Sequence, residues 1–462
     1  LFRLRGISAD DLDRNKNSHD GVQAYDTTIR PRWTATSEGG KITALYELDF
    51  TDIGGSAPGG ANKIFGGSSG DGTVGVNRWT IDFALPGTTL RMRIGRTDWT
   101  SPEGEIFDSP GIHRIDGIGV YGKLFGPLEL SSFTTKVRDN VINTNAAISA
   151  GASDADNYMV ALKWQAAPQI AITPWAALSR GNTDNVANVT GYEMYFFALN
   201  GKAKIGILDL DVTGIFETGD AAQPTQAARK LGARDIDIEA YGLLVRSWLT
   251  FGKARVGLYF TYLSGDDDAV VGNTGSRSQQ PDSELERFVF PANSGWLKAP
   301  EIFTGYEFSI FPAATSGRGN ILSTRTGVGV GPNAPGPVSG DPNVPNGLIM
   351  PEIRGEYQLT PDLRLQGRVG FIRSAKKAAD RCVDANGNGR CDQGEKDAAG
   401  GTFDNEKNFG TAFEAGLRWQ IYKQLYIQTW GSYLAAGDYG VAAGGKARDD
   451  TWGIFYELRH TF

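Results

Sequence analysis

The sequence predicts an all-β fold, a transmembrane up-and-down antiparallel β-barrel of about eighteen strands, with sixteen as the competing count. Three observations carry that expectation. Segments of about ten residues alternate apolar and polar side chains, as a strand does when one face meets lipid and the other water. Tight turns alternate with long polar connections, the asymmetry of outer-membrane barrels, whose periplasmic turns are short and outer loops long. No apolar run reaches the roughly 18 residues that a membrane helix needs.

Composition agrees with one barrel over 1–462. Of 462 residues, 40% are hydrophobic and 11% aromatic, with 61 glycines, the bias that strands, turns and aromatic girdles produce. A mean hydropathy of -0.30 fits a wall that is apolar on one face only. The net charge of -7 argues against nucleic-acid binding. Leu1 opens neither a basic stretch nor an apolar core, so a signal peptide is expected to have been removed.

In order, strands are expected at 1–6, 22–36, 41–53, 75–86, 88–98, 114–125, 127–138, 154–166 and 169–181. They continue at 191–200, 204–218, 236–250, 253–265, 346–359, 362–375, 409–421, 424–437 and 450–462. The shortness of 1–6 keeps sixteen open. Within 41–53, Tyr46, Leu48 and Phe50 oppose Glu47 and Asp49. Trp79, Ile81, Phe83 and Leu85 share a face in the next strand. Leu90, Met92 and Ile94 oppose Arg91 and Arg93, and Leu208, Leu210 and Val212 oppose Asp209 and Asp211. The segments 363–371 and 411–419 repeat the pattern. The last strand sets Trp452, Ile454, Tyr456, Leu458 and Phe462 against Glu457 and Arg459, and is expected to pair with 1–6 and 424–437. Turns fall near Gly39-Gly40, Pro86-Gly87, Gly126-Pro127, Ala167-Pro168, Asn200-Gly201, Gly252-Lys253, Pro361-Asp362 and Tyr422-Lys423. Long connections include 54–73, 99–113, 139–153, 219–234, 266–345, 376–408 and 438–449.

With the apolar face outward, the polar face lines a lumen. Its candidate pore-lining residues are Arg30, Arg32, Arg78, Asp82, Arg91, Arg93, Asp209, Asp211, Glu239, Arg255, Arg354, Arg364, Arg368, Glu414 and Arg418. Charges this numerous need water or opposite charges, since an Arg or Lys at the bilayer midplane costs about 2–4 kcal/mol. Arginine dominates over lysine there, and its planar fork holds carboxylates at two points. The expected function is a porin passing small hydrophilic, anionic solutes. The alternative for single residues is Arg–acid ladders that only brace the wall. The alternative for the whole chain is a surface structural or interaction barrel whose calcium-stapled loops form a lattice or bind a partner. Outer-membrane lipid and lipopolysaccharide are expected neighbours, and outward aromatics and glycines would suit a homotrimer.

The connection 266–345 is the longest and holds an aromatic cluster: Phe288, Phe290, Trp296, Phe303, Tyr306, Phe308 and Phe311. It is expected either to fold into the pore as a constriction or to cap the barrel outside. Residues 384–395 match the twelve-position calcium loop of EF-hands. Asp384, Asn386 and Asn388 fall at positions 1, 3 and 5, and Gly389 at the turn. The Arg390 carbonyl falls at 7, Asp392 at 9 and Glu395 at the bidentate position 12. The flanks are not helical, so the reading is a structural calcium site on the outer loop 376–408. Cys382 and Cys391, the two cysteines, suit a local disulfide in an oxidising compartment. The alternative is an Asx- and Gly-rich turn stapled by that bridge. The three histidines, His19, His113 and His460, accompany no nucleophile motif, and no enzymatic activity is expected.

The closing string Tyr456-Glu-Leu-Arg-His-Thr-Phe462 resembles the terminal signal of outer-membrane proteins read by the barrel-assembly machinery. The whole chain resembles the alginate-export family of porins. The shared points are about eighteen strands, the opening Phe2-Arg-Leu-Arg5, an arginine-rich lumen with interspersed acids, and a long occluding loop. That resemblance is architectural. It implies the fold and an occluding loop, contains no diagnostic residue string, and implies neither the substrate nor the calcium loop.

Overall fold

The computed structural model describes residues 1–10, 22–56, 73–106, 115–138, 153–186, 189–224, 236–265, 284–286, 288, 347–376, 407–437 and 450–461. The strands there are β1 (Phe2–Asp10), β2 (Val22–Ile29), β3 (Arg32–Thr36), β4 (Ile42–Ser56), β5 (Thr73–Ala84), β6 (Leu90–Thr97) and β7 (Ile115–Phe125). They continue as β8 (Leu128–Arg138), β9 (Ser153–Ala167), β10 (Ile170–Val186), β11 (Val189–Ile205), β12 (Leu208–Pro224), β13 (Ile236–Phe251) and β14 (Ala254–Leu263). The last are β15 (Glu284–Leu285), β16 (Leu348–Thr360), β17 (Leu363–Arg373), β18 (Asn408–Tyr422), β19 (Leu425–Ala436) and β20 (Thr451–His460).

Each wall strand pairs antiparallel with its chain neighbours. β1 lies between β2 and β20, with Phe2 opposite both Ile29 and His460, so the ladder runs back into itself. β2 and β3 pair with the same strand, β4, and form one stave. The two-residue β15 pairs in parallel with β13 and stands outside the ring. Eighteen staves remain among the described residues, the larger of the two expected counts. β20 pairs with β1 and β19, as the terminal strand's pattern predicted.

Five of the expected strands differ most from their bounds. The strand expected at 1–6 runs to Asp10, because the backbone keeps pairing on both sides after alternation lapses at Gly6. The strand expected at 22–36 is broken at Arg30-Pro31. Proline offers no N–H to the ladder, yet its carbonyl still accepts from the Leu48 amide at 3.2 Å. β10, β11 and β12 each reach 17 residues, past the expected 169–181, 191–200 and 204–218. The added residues keep pairing across the ladder, as Lys202 and Lys204 do with Asp211 and Asp209, and the turn expected at Asn200-Gly201 falls instead at Gly206.

The wall is apolar outside. Along β11, Tyr195, Phe197 and Leu199 are exposed while Met194, Phe196 and Asn200 are buried. On β18, Phe413 is exposed and its neighbour Glu414 buried. A soluble protein would invert this, so the exposed band is the face a bilayer covers. Contacts across the ring fix which face is inside. Pro102 and Glu105, just after β6, reach Lys202 on β11 and Arg246 on β13, and only a path through the interior joins those staves.

Candidate pore constriction

After β6 the chain turns inward as the segment Asp98–Ile106. Trp99 lies flat on β7, against Phe133 of β8 at 5.5 Å between ring centroids. It can do so because the wall there is Gly117 and Gly119, where a Cβ would come within 2.8 and 2.5 Å of the indole. Asp98 pairs with Arg78 of β5 at the segment's start. The Lys202 ammonium donates to the Pro102 carbonyl at 2.7 Å. Glu105 is wholly buried and its carboxylate pairs with Arg246. Glu103 is buried too, accepting from the Ser101 hydroxyl and, at 3.2 Å, from the Ile106 amide. Burial pushes the Glu103 carboxyl above its ordinary range, and the Asp211 charge adds to the push.

A second piece enters from the long connection. β14 ends at Leu263, opposite Gly242, leaving the outer end of β13 without that neighbour, and Glu284 and Leu285 pair there with Asp237 and Ile238. Ser264 ties the corner: its hydroxyl donates to the Glu286 carbonyl at 2.6 Å and accepts from the Tyr241 amide at 2.9 Å. Phe288 packs edge-on to Phe196 at 6.4 Å. The other aromatics of 266–345 lie outside the described residues.

The inner wall opposite these pieces is built of arginines on aromatic rings. Tyr259 of β14 carries two guanidiniums, Arg354 at 3.8 Å and Arg246 at 5.5 Å from the ring centre. Its hydroxyl accepts from the Trp248 indole at 2.8 Å, and Arg255 lies 4.6 Å over Trp248. Arg368 stands over Trp430, and Arg418 lies 4.1 Å over Tyr426. Stacking holds each planar cation in a fixed orientation while leaving its edge for an oxygen partner.

Most expected inner residues meet acids. Asp82 holds Arg91 at 2.5 Å and Arg93 at 3.0 Å. Arg32 donates to Glu47 at 2.6 Å. Arg255 and Arg364 approach Glu356 at 3.5 and 3.4 Å, and Arg368 pairs with Glu414. Lys202 and Lys204 approach Asp211 and Asp209 at 3.5 and 3.7 Å. Arg30 is buried beside the Arg30-Pro31 break, on the face opposite exposed Ile29.

Glu239 is the exception, for it falls on the outer face with exposed Tyr241 and Leu243. The cause is Phe288, whose ring sits inside the wall against Phe196 of β11 and beside Gly242 of β13. At this end of β13 Ile238 and Ala240 are buried inside and the polarity rule inverts. The calcium ligands Asp384, Asn386, Asn388, Arg390, Asp392 and Glu395, with Cys382 and Cys391, lie outside the described residues.

Sequence reasoning passed over Trp99, Glu103, Glu105 and their anchor Arg246. The signal was present: Trp99, Ile106 and Phe107 are large apolar residues in an otherwise polar connection. Such residues in a loop need something to pack against.

Geometry of this kind, a closed antiparallel ring with an apolar exterior, a charged interior and an inward loop, defines a porin-type barrel. No known family matches the sequence, and no curated protein matches it. Solved structures do share its fold. OpdL of Pseudomonas aeruginosa superposes over 100% of this chain and 97% of its own, with TM-score 0.53 and 11% identity. OccK2 (OpdF) of the same organism, crystallised with glucuronate, covers 100% and 97% at TM-score 0.51 and 10% identity. The Pseudomonas aeruginosa outer membrane protein OpdK covers 99% and 96% at TM-score 0.50 and 11% identity. At such identity the likeness establishes the fold.

Proposed function

We propose that this chain is an outer-membrane porin through which small hydrophilic, anionic solutes diffuse. The observation that carries the reading is the inner wall of β13–β18, where Arg246, Arg255, Arg354, Arg368 and Arg418 lie on aromatic rings facing the interior. A carboxylate passing there exchanges water for charge-assisted hydrogen bonds from preset guanidiniums. The paired acids, Glu352, Glu356 and Glu414, keep the cations soluble in the wall and keep the attraction weak enough for release. OccK2 was crystallised with glucuronate, a small carboxylated sugar of the class proposed.

Liposome swelling tests this reading. Vesicles holding the protein should swell faster in glucuronate than in glucose, and Arg255→Gln with Arg364→Gln should slow glucuronate several-fold while leaving glucose unchanged. Equal rates for both solutes, unaffected by the substitutions, would remove the anion preference.

We also propose that 384–395 binds one structural calcium, with a Cys382–Cys391 bridge closing the loop from behind. Support comes from the ligand spacing and from the loop's base. There the Ser374 amide donates to the Lys407 carbonyl at 2.8 Å, and the Lys407 ammonium to the Ala375 carbonyl at 2.9 Å. The oxidised protein should bind one calcium by titration calorimetry, and Asp384→Ala with Glu395→Ala should abolish the heat. No calcium heat in the intact chain would rule the site out. Lipopolysaccharide contact and trimeric assembly belong to the same reading and are open to native mass spectrometry.

A further inference from the structure

Glu105 has the chemistry of the solutes proposed above, and it occupies the wall that would recognise them. Its carboxylate is wholly buried against Arg246. Arg246 in turn shares the Tyr259 ring with Arg354. From there the guanidinium row continues through Trp248 to Arg255, and through Glu356 to Arg364. Glu105 thus sits at one end of a row of cations joined by rings and by Glu356, delivered there by a segment that crosses the interior.

Resting on the porin reading, we propose that Glu105 is a tethered stand-in for the solute's carboxylate, and that an anionic solute opens the constriction by displacing it from Arg246. The reasoning is one of exchange. Docked, the segment leaves the Arg246 side chain only one-tenth exposed, so its guanidinium edge becomes open to a solute anion only when Glu105 leaves. A solute carboxylate that takes the vacated edge of the guanidinium replaces one charge-assisted pair with another and so favours the lifted state. A neutral solute offers no such exchange. Glu105 then sets specificity: it admits solutes able to compete with a carboxylate and holds the segment closed against the rest.

The remaining contacts of the segment suit a hinged piece. Trp99 is packed on Gly117 and Gly119 near the strand it leaves. On the far side Lys202 donates to the Pro102 carbonyl and Glu105 pairs with Arg246. A lift about Trp99 breaks the Lys202 and Arg246 contacts and uncovers Ile106, and leaves the Trp99 anchor in place.

The test is single-channel recording of the full chain in planar bilayers, with glucuronate replacing chloride at constant ionic strength. In the native protein the fraction of time in the larger conductance state should rise several-fold with glucuronate and saturate as Arg246 fills. Glu105→Gln should occupy that state without glucuronate and respond little to it, whereas Glu105→Asp should keep the dependence. Heat-modifiable migration on gels confirms that each variant is folded. A native channel that conducts steadily but ignores glucuronate overturns the proposal and leaves the porin reading standing. So does Glu105→Gln with an unchanged glucuronate response.

Discussion

Phe197→Arg should lower the stability of the barrel in phospholipid vesicles by about 2–4 kcal/mol, the penalty of an arginine at the bilayer midplane. Phe197 stands mid-strand on β11, 50% exposed, with Phe216 opposite it on β12. On a soluble protein the same exchange at a half-exposed aromatic is nearly neutral, within about 0.5 kcal/mol. Equilibrium urea unfolding in vesicles distinguishes the two. A loss smaller than that in vesicles would mean that the exposed band of Phe197, Leu199 and Phe413 does not face lipid.

Arg246→Ala should release the inward segment. The substitution strands the Glu105 carboxylate in a site with no water access, and removing one partner of a buried ion pair costs about 3–5 kcal/mol. At about 1.4 kcal/mol per tenfold, that shifts the docked population by a hundred-fold or more. The wall itself keeps its backbone ladder, so folding in vesicles should persist while the larger conductance state becomes permanent. The same site also loses one cation from the Tyr259 ring, so anion preference should fall as conductance rises. Conductance and selectivity both at native values would show that the segment does not limit the passage.

The strand count and the two faces were legible because a single rule, apolar outside and polar inside, holds wherever a stave is bare on both sides. Arg91 and Arg93 on Asp82, and Arg368 on Glu414, lie where alternation put them. The rule fails where something else covers the wall. Near Ile238 and Ala240 the aromatic ring of Phe288 occupies the inner side beside Gly242 and Phe196, and apolar residues turn inward and Glu239 outward. At Trp99 the covering piece is the loop itself. Its partners Gly117 and Gly119 look in sequence like ordinary strand glycines, and their role as a seat appears only when β7 is set beside the segment. The pair Glu105–Arg246 joins residues 141 apart, with no local pattern to announce it. Pro31 is the converse case: its effect on the ladder is local, and the break between β2 and β3 could have been read from its missing N–H alone.

On the porin reading the interior of this ring conducts. Planar-bilayer recording of the purified full chain tests it most directly. Discrete conductance steps, with a reversal potential across a salt gradient of the sign that anion preference dictates, are the predicted result. A chain that migrates as a folded, heat-modifiable barrel and inserts into the bilayer, yet yields no steps at any voltage or salt concentration, with or without glucuronate, would contradict it.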